Sequence, residues 1–415
     1  MSAGYARRQI ALAALAVNAV RPMSRGRSGV LGFALGWPVS ELAPHLLGLA
    51  AVDTAAELTV RRRTSKPSAI GLLAAGASAG LLGWTIAGAR RVGTELDAAL
   101  RESIGDGYLE VLDLPGPVDL RLPRGSVARP FSLRQRDVEV IRDVPYSEGG
   151  RRAHLDIYKP KDRDLSGAPV LIQIHGGGWT IGTKEQQGLL LMNRMAQQGW
   201  ICVAANYRLA PKHYMPTQII DVKRAIAWVH EHIAEYGGDP SYVAITGGSA
   251  GGHLSALAAL TPGLKDYQPG FEDADTSISA CVPFYGIYDL AGLTKDRAAI
   301  LMRDQFLGPR VFHKDPRTEP DEFVKASPLA HISEDTPDFF VIHGRNDTLV
   351  SVKQARAFVK ALKEKSTASV TYAELPGAQH AFDVFSSIRS QHTIAAVQRW
   401  LQWHHAKTQT VPQLD

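Results

Sequence analysis

The sequence predicts an α/β fold: a mostly parallel, eight-stranded sheet covered by helices, with a small cap and an apolar N-terminal helical region. Three observations carry that prediction. From about Arg136 onward, β-rich apolar runs alternate with helical runs. Those runs are largely continuous rather than alternating in polarity, as in strands buried on both faces. The first 102 residues differ in texture, being rich in Ala, Gly and Leu between arginine clusters.

The strands are expected at Val138–Ile141, His154–Tyr158, Val170–His175, Ile201–Ala205, Tyr242–Thr246, Ile278–Phe284, Phe339–His343 and Val370–Leu375. Helices are expected at Glu185–Gln198, Thr217–Tyr236, Ser249–Leu260, Val352–Lys365 and Ile388–His404. In the second of these, Ile219, Ile226, Val229 and Ile233 recur at helical spacing. About residues 291–336 interrupt the alternation and are expected to form a cap. In such sheets ligands bind beyond the carboxyl ends of the strands.

The 415 residues carry a net charge of +5. Residues 1–130 hold 15 Lys and Arg against 10 Asp and Glu, while residues 131–415 hold 31 of each. The basic excess therefore belongs to the N-terminal third. The main domain has no basic excess of its own, which argues against nucleic acid as a partner. Two cysteines, Cys202 and Cys281, lie far apart in apolar runs and read as buried thiols.

The N-terminal region, residues 1–102, is expected to associate with a membrane through residues 29–52 and 68–89. Residues 68–89 are uncharged until the arginines that follow. As a helix they would span roughly 33 Å, enough to cross a bilayer core. Arg61-Arg62-Arg63 and Lys66 precede them, and Arg90-Arg91 follow. The run from Val30 to Val52 is interrupted by Pro38, Glu41, Pro44 and His45, so it reads as a poorer span or an interfacial segment. Ile10 to Val20 is too short to span and resembles a signal core without a cleavage site. Buried helices of a subdomain are the alternative. Basic residues on both sides leave the orientation open. Residues 103–135, punctuated by Pro115, Gly116, Pro117, Pro123, Gly125 and Pro130, read as a linker into a domain at 136–415.

The chemistry concentrates in four segments. Gly247-Gly248-Ser249-Ala250-Gly251 has the form G-x-S-x-G, between an apolar strand and an Ala/Leu-rich helix. A serine on a sharp strand-to-helix turn has its hydroxyl lifted out of the sheet, and the flanking glycines make room for the turn. Such a nucleophile needs a base, and the base needs an orienting acid. Asp347 follows the Phe339 strand and is the candidate acid; His380 follows the last strand and is the candidate base. Fourth, His175-Gly176-Gly177-Gly178-Trp179 follows the Val170 strand. Consecutive glycines let backbone N–H groups approach a developing oxyanion. Gly177 and Gly178 are the expected donors, joined by the N–H of Ala250. Motif support comes from His175, read as fixing the loop, and from Gly176, Gly247 and Gly251. Trp179, Met215, Tyr285 and Phe306 line an acyl pocket or pack in the core. No metal or cofactor is implied.

With these residues the chain resembles the α/β-hydrolase superfamily, specifically the hormone-sensitive-lipase-like esterases. The likeness spans roughly residues 140–405 and includes Asn206-Tyr207-Arg208-Leu209-Ala210-Pro211, Gly252, Leu349 and Phe382. Members often carry an acidic residue before the serine, where this chain has Gly248. The N-terminal region is similar in composition to that of some actinobacterial membrane-associated esterases. The resemblance implies a serine carboxylester hydrolase, acting on short- to medium-chain acyl esters through Ser249, His380 and Asp347. The same machinery suits an arylformamidase or a deacetylase. A non-catalytic binding fold or a membrane scaffold is the reading from another class.

Overall fold

The computed structural model describes residues 2–24, 28–59, 66–112, 119–123 and 125–410. The cluster Arg61-Arg62-Arg63 and the linker residues Pro115-Gly116-Pro117 lie outside the described residues.

All eight expected strands are present in one sheet: β1 (Val138–Pro145), β2 (His154–Pro160), β3 (Ala168–Ile174), β4 (Ile201–Ala205), β5 (Gly238–Gly248), β6 (Ala280–Phe284), β7 (Asp338–Gly344) and β8 (Val370–Leu375). They lie side by side in the order β1-β2-β4-β3-β5-β6-β7-β8. β2 pairs antiparallel with β1 and with β4, and every other pairing is parallel. The inner strands are buried along their length, which is why they read as unbroken apolar runs.

Among the described residues, four long helices precede the sheet: α1 (Ser2–Val20), α2 (Ser28–Glu41), α3 (Ala43–Thr59) and the 36-residue α4 (Ala69–Ile104). A short α5 (Tyr108–Val111) follows. Downstream come α6 (Leu189–Gln197), α7 (Thr217–His232), α8 (Ala250–Leu260), α9 (Arg297–Met302), α10 (Pro320–Lys325), α11 (Val352–Lys365) and α12 (Ile388–Thr410). The helix expected from Glu185 begins at Leu189, after Gly188 takes a left-handed φ of 70°. The helix expected to reach Tyr236 ends in a 3-10 turn, Ile233–Tyr236.

Two cores sandwich the sheet. On one side Ile219, Ile226 and Val229 of α7, Leu254 and Leu257 of α8, and Phe358 and Leu362 of α11 pack on the strands. On the other side lie Met192 and Met195 of α6 and Val397, Trp400 and Leu401 of α12, with Val92, Leu96 and Leu100 of α4. The C-terminal half of α4 is thus part of the sheet's own core. Ser103, just past the expected boundary at 102, lies 2.7 Å from Thr371 of β8, hydroxyl to hydroxyl.

The N-terminal half of α4 meets α1, α2 and α3 around a small cluster of Ala16, Val39, Ala43 and Leu82. Much of the outer surface here is apolar: Val30, Leu31, Leu49, Val52, Ile70, Leu73 and Trp84 are all exposed. Among the described residues, α4 alone is long and apolar enough to cross a membrane. The run 29–52 is not one span. It folds as the 14-residue α2 and part of the 17-residue α3, parted at Leu42. Pro38 and Pro44 flank that break, each removing an N–H donor from the helical ladder.

Residues 291–336 carry α9, a π-helical stretch Arg303–Phe312 and α10. Phe312 and Phe323 stack at 4.3 Å. The segment is tied to the body where Met215 N–H donates to Val311 O at 3.0 Å.

Candidate active site

Ser249 sits between β5 and α8 with φ 59° and ψ −121°. A non-glycine residue at positive φ is strained, and here its neighbours over-determine it. Its N–H donates to Phe284 O at 3.0 Å, and its carbonyl accepts from His253 N–H at 2.9 Å. The flanking glycines are demanded by close approach. A Cβ at Gly247 would lie 2.6 Å from Ile174 O, and one at Gly251 2.1 Å from the same atom.

The glycine loop after β3 lies against this turn. A Cβ at Gly176 would meet Gly248 O at 2.6 Å and Ser249 Cβ at 3.2 Å. Gly177 and Gly178 have φ of 108° and 58°, which suit glycine. Neither N–H has a backbone acceptor among the described residues. Ala250, at the first turn of α8, has no intrahelical acceptor for its N–H either. Gln187 Oε1 fixes the loop by accepting from Gly176 N–H at 2.7 Å.

His175 is buried, with its Nδ1 2.7 Å from Gly176 O and its ring stacked at 4.2 Å on Tyr207. Burial pushes its pKa down to about 4, so it is neutral near pH 7. Tyr207 O–H donates to His175 O at 3.0 Å, and Arg208 grips Asp221 in a bidentate pair. The Asn206–Pro211 segment thereby forms the floor under the glycine loop.

Asp347 and His380 come together from the loops after β7 and β8. Nδ1 of His380 lies 2.6 Å from Asp347 Oδ2. Asp347 Oδ1 accepts from the N–H groups of Leu349 and Val350 at 2.9 and 2.8 Å. Burial opposes charge on this carboxyl, but His380 and His343 beside it hold it well below the usual carboxylate range.

Of the candidate pocket residues, Trp179 and Met215 are buried. Trp179 Nε1–H donates to His253 Nδ1 at 3.1 Å, and His253 Nε2 lies 2.8 Å from Ala326 O, linking the glycine loop to the cap side. Burial lowers the His253 pKa to about 4. Tyr285 is buried with its ring 4.5 Å from that of His380. Phe306, from the π-helical stretch, stands over the glycine loop, 3.2 Å from where a Gly178 Cβ would be, and is 36% exposed.

The sequence places the N-terminal helices at a membrane or in a subdomain of their own, and gives no sign of their contact with this site. Phe33 of α2 meets the His380 ring edge-on at 6.0 Å, and Trp37 Nε1–H donates to Ala381 O at 2.8 Å. Trp37 also stacks on Phe385 at 4.8 Å. Glu41 pairs with Arg389, both side chains buried, and accepts from Ser387 O–H at 2.7 Å. The Asp347 loop is held too: Asn346 Nδ2 donates to Val20 O at 3.2 Å and Thr348 Oγ1 to Gly29 O at 2.8 Å. The available signal is Glu41, a lone carboxylate in an apolar run, with Trp37 and Phe33 one and two helical turns before it.

A sheet in this order, a strained serine between β5 and α8, and a histidine–aspartate pair beyond β7 and β8 define an α/β-hydrolase. Comparison with known proteins narrows the class. The chain belongs to the BD-FAE family, whose model matches residues 155–362. It is 46% identical over 410 residues to the probable carboxylic ester hydrolase LipM of Mycobacterium tuberculosis, covering 94% of this chain and 90% of that one. A solved structure of a truncated carbohydrate esterase from gut microbiota aligns with a TM-score of 0.55 at 26% identity, over 64% of this chain and 96% of that one. The propionate-bound esterase Est2 of Thermogutta terrifontis aligns with a TM-score of 0.53 at 25% identity, over 64% and 94%. The protein is a carboxylic ester hydrolase.

Proposed function

We propose that Ser249, His380 and Asp347 are the catalytic triad of this esterase. The 2.6 Å contact between His380 Nδ1 and Asp347 Oδ2 carries the reading, because it holds the imidazole in the tautomer whose Nε2 can accept a proton. Ser249 Oγ attacks the ester carbonyl while His380 Nε2 takes its proton. The N–H groups of Gly177, Gly178 and Ala250 stabilise the oxyanion. His380 returns the proton to the departing alcohol, and water then cleaves the acyl-serine by the same route in reverse. Labelling by a fluorophosphonate probe, mapped to Ser249 and absent in Ser249→Ala, is the test. An intact, folded protein that is never labelled would end the reading.

The acyl group in this proposal is short to medium in length. Phe306 over Gly178 limits the space above the glycine loop, and the aligned Est2 structure carries propionate. A second reading, deacetylation of a carbohydrate, draws on the likeness to the carbohydrate esterase. Rates on acetyl, butyryl and longer acyl esters, beside an acetylated sugar and an arylformamide, separate these substrates.

The same proposal gives the exposed side of the N-terminal helices to a membrane surface, while the boundary expected at about residue 102 falls inside α4, and Val92, Leu96 and Leu100 of α4 and Tyr108 and Leu109 of α5 pack in the sheet's core. The support is the cluster of exposed apolar side chains on α2, α3 and α4, a concentration that marks an interaction face in soluble proteins. Flotation of the full-length chain with vesicles, compared with a Leu49→Ser/Val52→Ser/Leu73→Ser variant, tests it. Equal flotation of the two proteins would overturn it.

A further inference from the structure

Gly248, the residue before the candidate nucleophile, is explained by what stands over it. A Cβ at this position would lie 2.5 Å from Tyr285 Oη and 2.8 Å from Tyr285 Cζ. The tyrosine therefore occupies the space that any side chain at 248 would need. Tyr285 itself is held in an unfavourable backbone conformation, with φ 38°, and its N–H donates to Ile342 O at 2.7 Å. Its hydroxyl donates to Oδ1 of Asp383, which stands on the His380 loop, three residues after the histidine. Its ring lies 4.5 Å from the imidazole, with the planes inclined at 56°.

We propose that Tyr285 and Asp383 form a positioning pair for His380, and that position 248 is glycine because only glycine admits the tyrosine ring. This rests on the assignment of His380 as the base. The contact of Nδ1 with Asp347 fixes one atom of the ring. It leaves the ring free to swing about that atom, and Nε2 moves furthest when it does. A base has to present that nitrogen within hydrogen-bond reach of the serine hydroxyl. Packing against Tyr285, with the edge of Phe33 at 6.0 Å, removes the swing. The bond from Tyr285 to Asp383 then ties the histidine loop to the end of β6. β6 pairs in register with β5, Gly248 opposite Phe284, so the loop is referenced to the strand that delivers Ser249. The aspartate and the tyrosine work only as a pair. Without Asp383 the tyrosine hydroxyl loses its partner on the histidine loop, and without the hydroxyl the loop has no anchor there.

The test is a double-mutant cycle on the full-length enzyme with Tyr285→Phe, Asp383→Asn and both together. Each single change should lower kcat about tenfold with KM unmoved, short of the roughly hundredfold loss that a 1 Å misplacement brings. The double variant should be no worse than either single, because contacting groups are not additive. Gly248→Ala should reproduce the loss, since its methyl would displace the ring. The proton on His380 Nδ1 should give a low-field NMR resonance in the wild type that broadens in Tyr285→Phe, a change a purely structural role would not produce. Wild-type kcat and an unaltered resonance in a folded Tyr285→Phe protein would overturn the proposal, as would losses that multiply in the double variant. Tyr285→Phe keeps the ring and decides the matter even if Asp383→Asn does not fold. Failure of the wild type to be labelled at Ser249 would instead sink the triad assignment.

Discussion

Glu41 of α2 and Arg389 of α12 form an ion pair with side chains 0% and 1% exposed, joining the N-terminal helices to the segment that follows the His380 loop. Ser40 and Ser387 both donate to the Glu41 carboxylate, at 3.0 and 2.7 Å. Removing one partner of a buried pair strands the other charge and typically costs about 3–5 kcal/mol. Glu41→Ala should therefore lower the unfolding free energy by about that amount, read from denaturant melts. Replacing both residues by Leu and Met should recover most of the loss, since apolar replacement of a whole buried pair is often close to neutral.

Trp37 gives a second handle on the same contact. It donates to Ala381 O, one residue past His380, and stacks on Phe385. Trp37→Ala removes both interactions. The expected outcome is a fall in kcat of about tenfold or more, by analogy with other losses of positioning, at little change in KM. Trp37→Phe keeps the stack and should fall less. A chain lacking α1 and α2 should be impaired in hydrolysis as well as in any membrane binding. Activity equal to the full-length enzyme would show that these helices only locate the protein.

Most of the sheet was legible because buried parallel strands are continuous apolar runs, and β4 and β6 are buried at every position. Ser249, Asp347 and His380 were legible as residues at strand ends. What escaped notice were relations between distant parts of the chain. Trp37 and Ala381 are 344 residues apart, and no local periodicity encodes their meeting. Tyr285 read only as a pocket or core residue, because its bond to Asp383 depends on how two loops fold over one edge. The apolar run at 29–52 hid its contact with the site for a physical reason. α2 is apolar nearly all round, with Val30, Leu31 and Leu35 exposed while Phe33 and Trp37 reach the His380 loop, and composition cannot tell one face from the other.

Asp347 makes the next prediction quantitative. Its carboxylate accepts two backbone N–H groups and faces the His380 imidazole. Asp347→Asn keeps the shape but favours the wrong imidazole tautomer, which costs roughly 10⁴-fold in kcat in a serine protease. A loss of similar order is expected here. Labelling of Ser249 by a fluorophosphonate should slow in parallel, and a loss of less than about tenfold would be incompatible with the role of Asp347 in orienting the base.

Two buried histidines and Asp347 contribute to the loss of stability in acid. His175 and His253 have pKa values lowered by burial to about 4. In the unfolded chain a histidine titrates near about 6.5. Between those values the unfolded state binds more protons, so stability rises with pH. The contribution of each histidine is therefore complete above about pH 6.5 and is lost as pH falls toward about 4, at about 1.4 kcal/mol per pH unit per group. The Asp347 pKa is also depressed, so its contribution is present above the ordinary carboxylate range near about 4 and is lost below it. The melting temperature should thus fall in two stages, first between about pH 6.5 and about 4 as both imidazoles take up protons on unfolding, then below about 4 with Asp347 as the one of the three still titrating. His253→Gln should flatten the first stage while leaving the second. It would also loosen Trp179, whose indole N–H donates to His253. A melting temperature that stays level from about pH 7 to about pH 4.5 would contradict the burial of these two imidazoles as neutral groups.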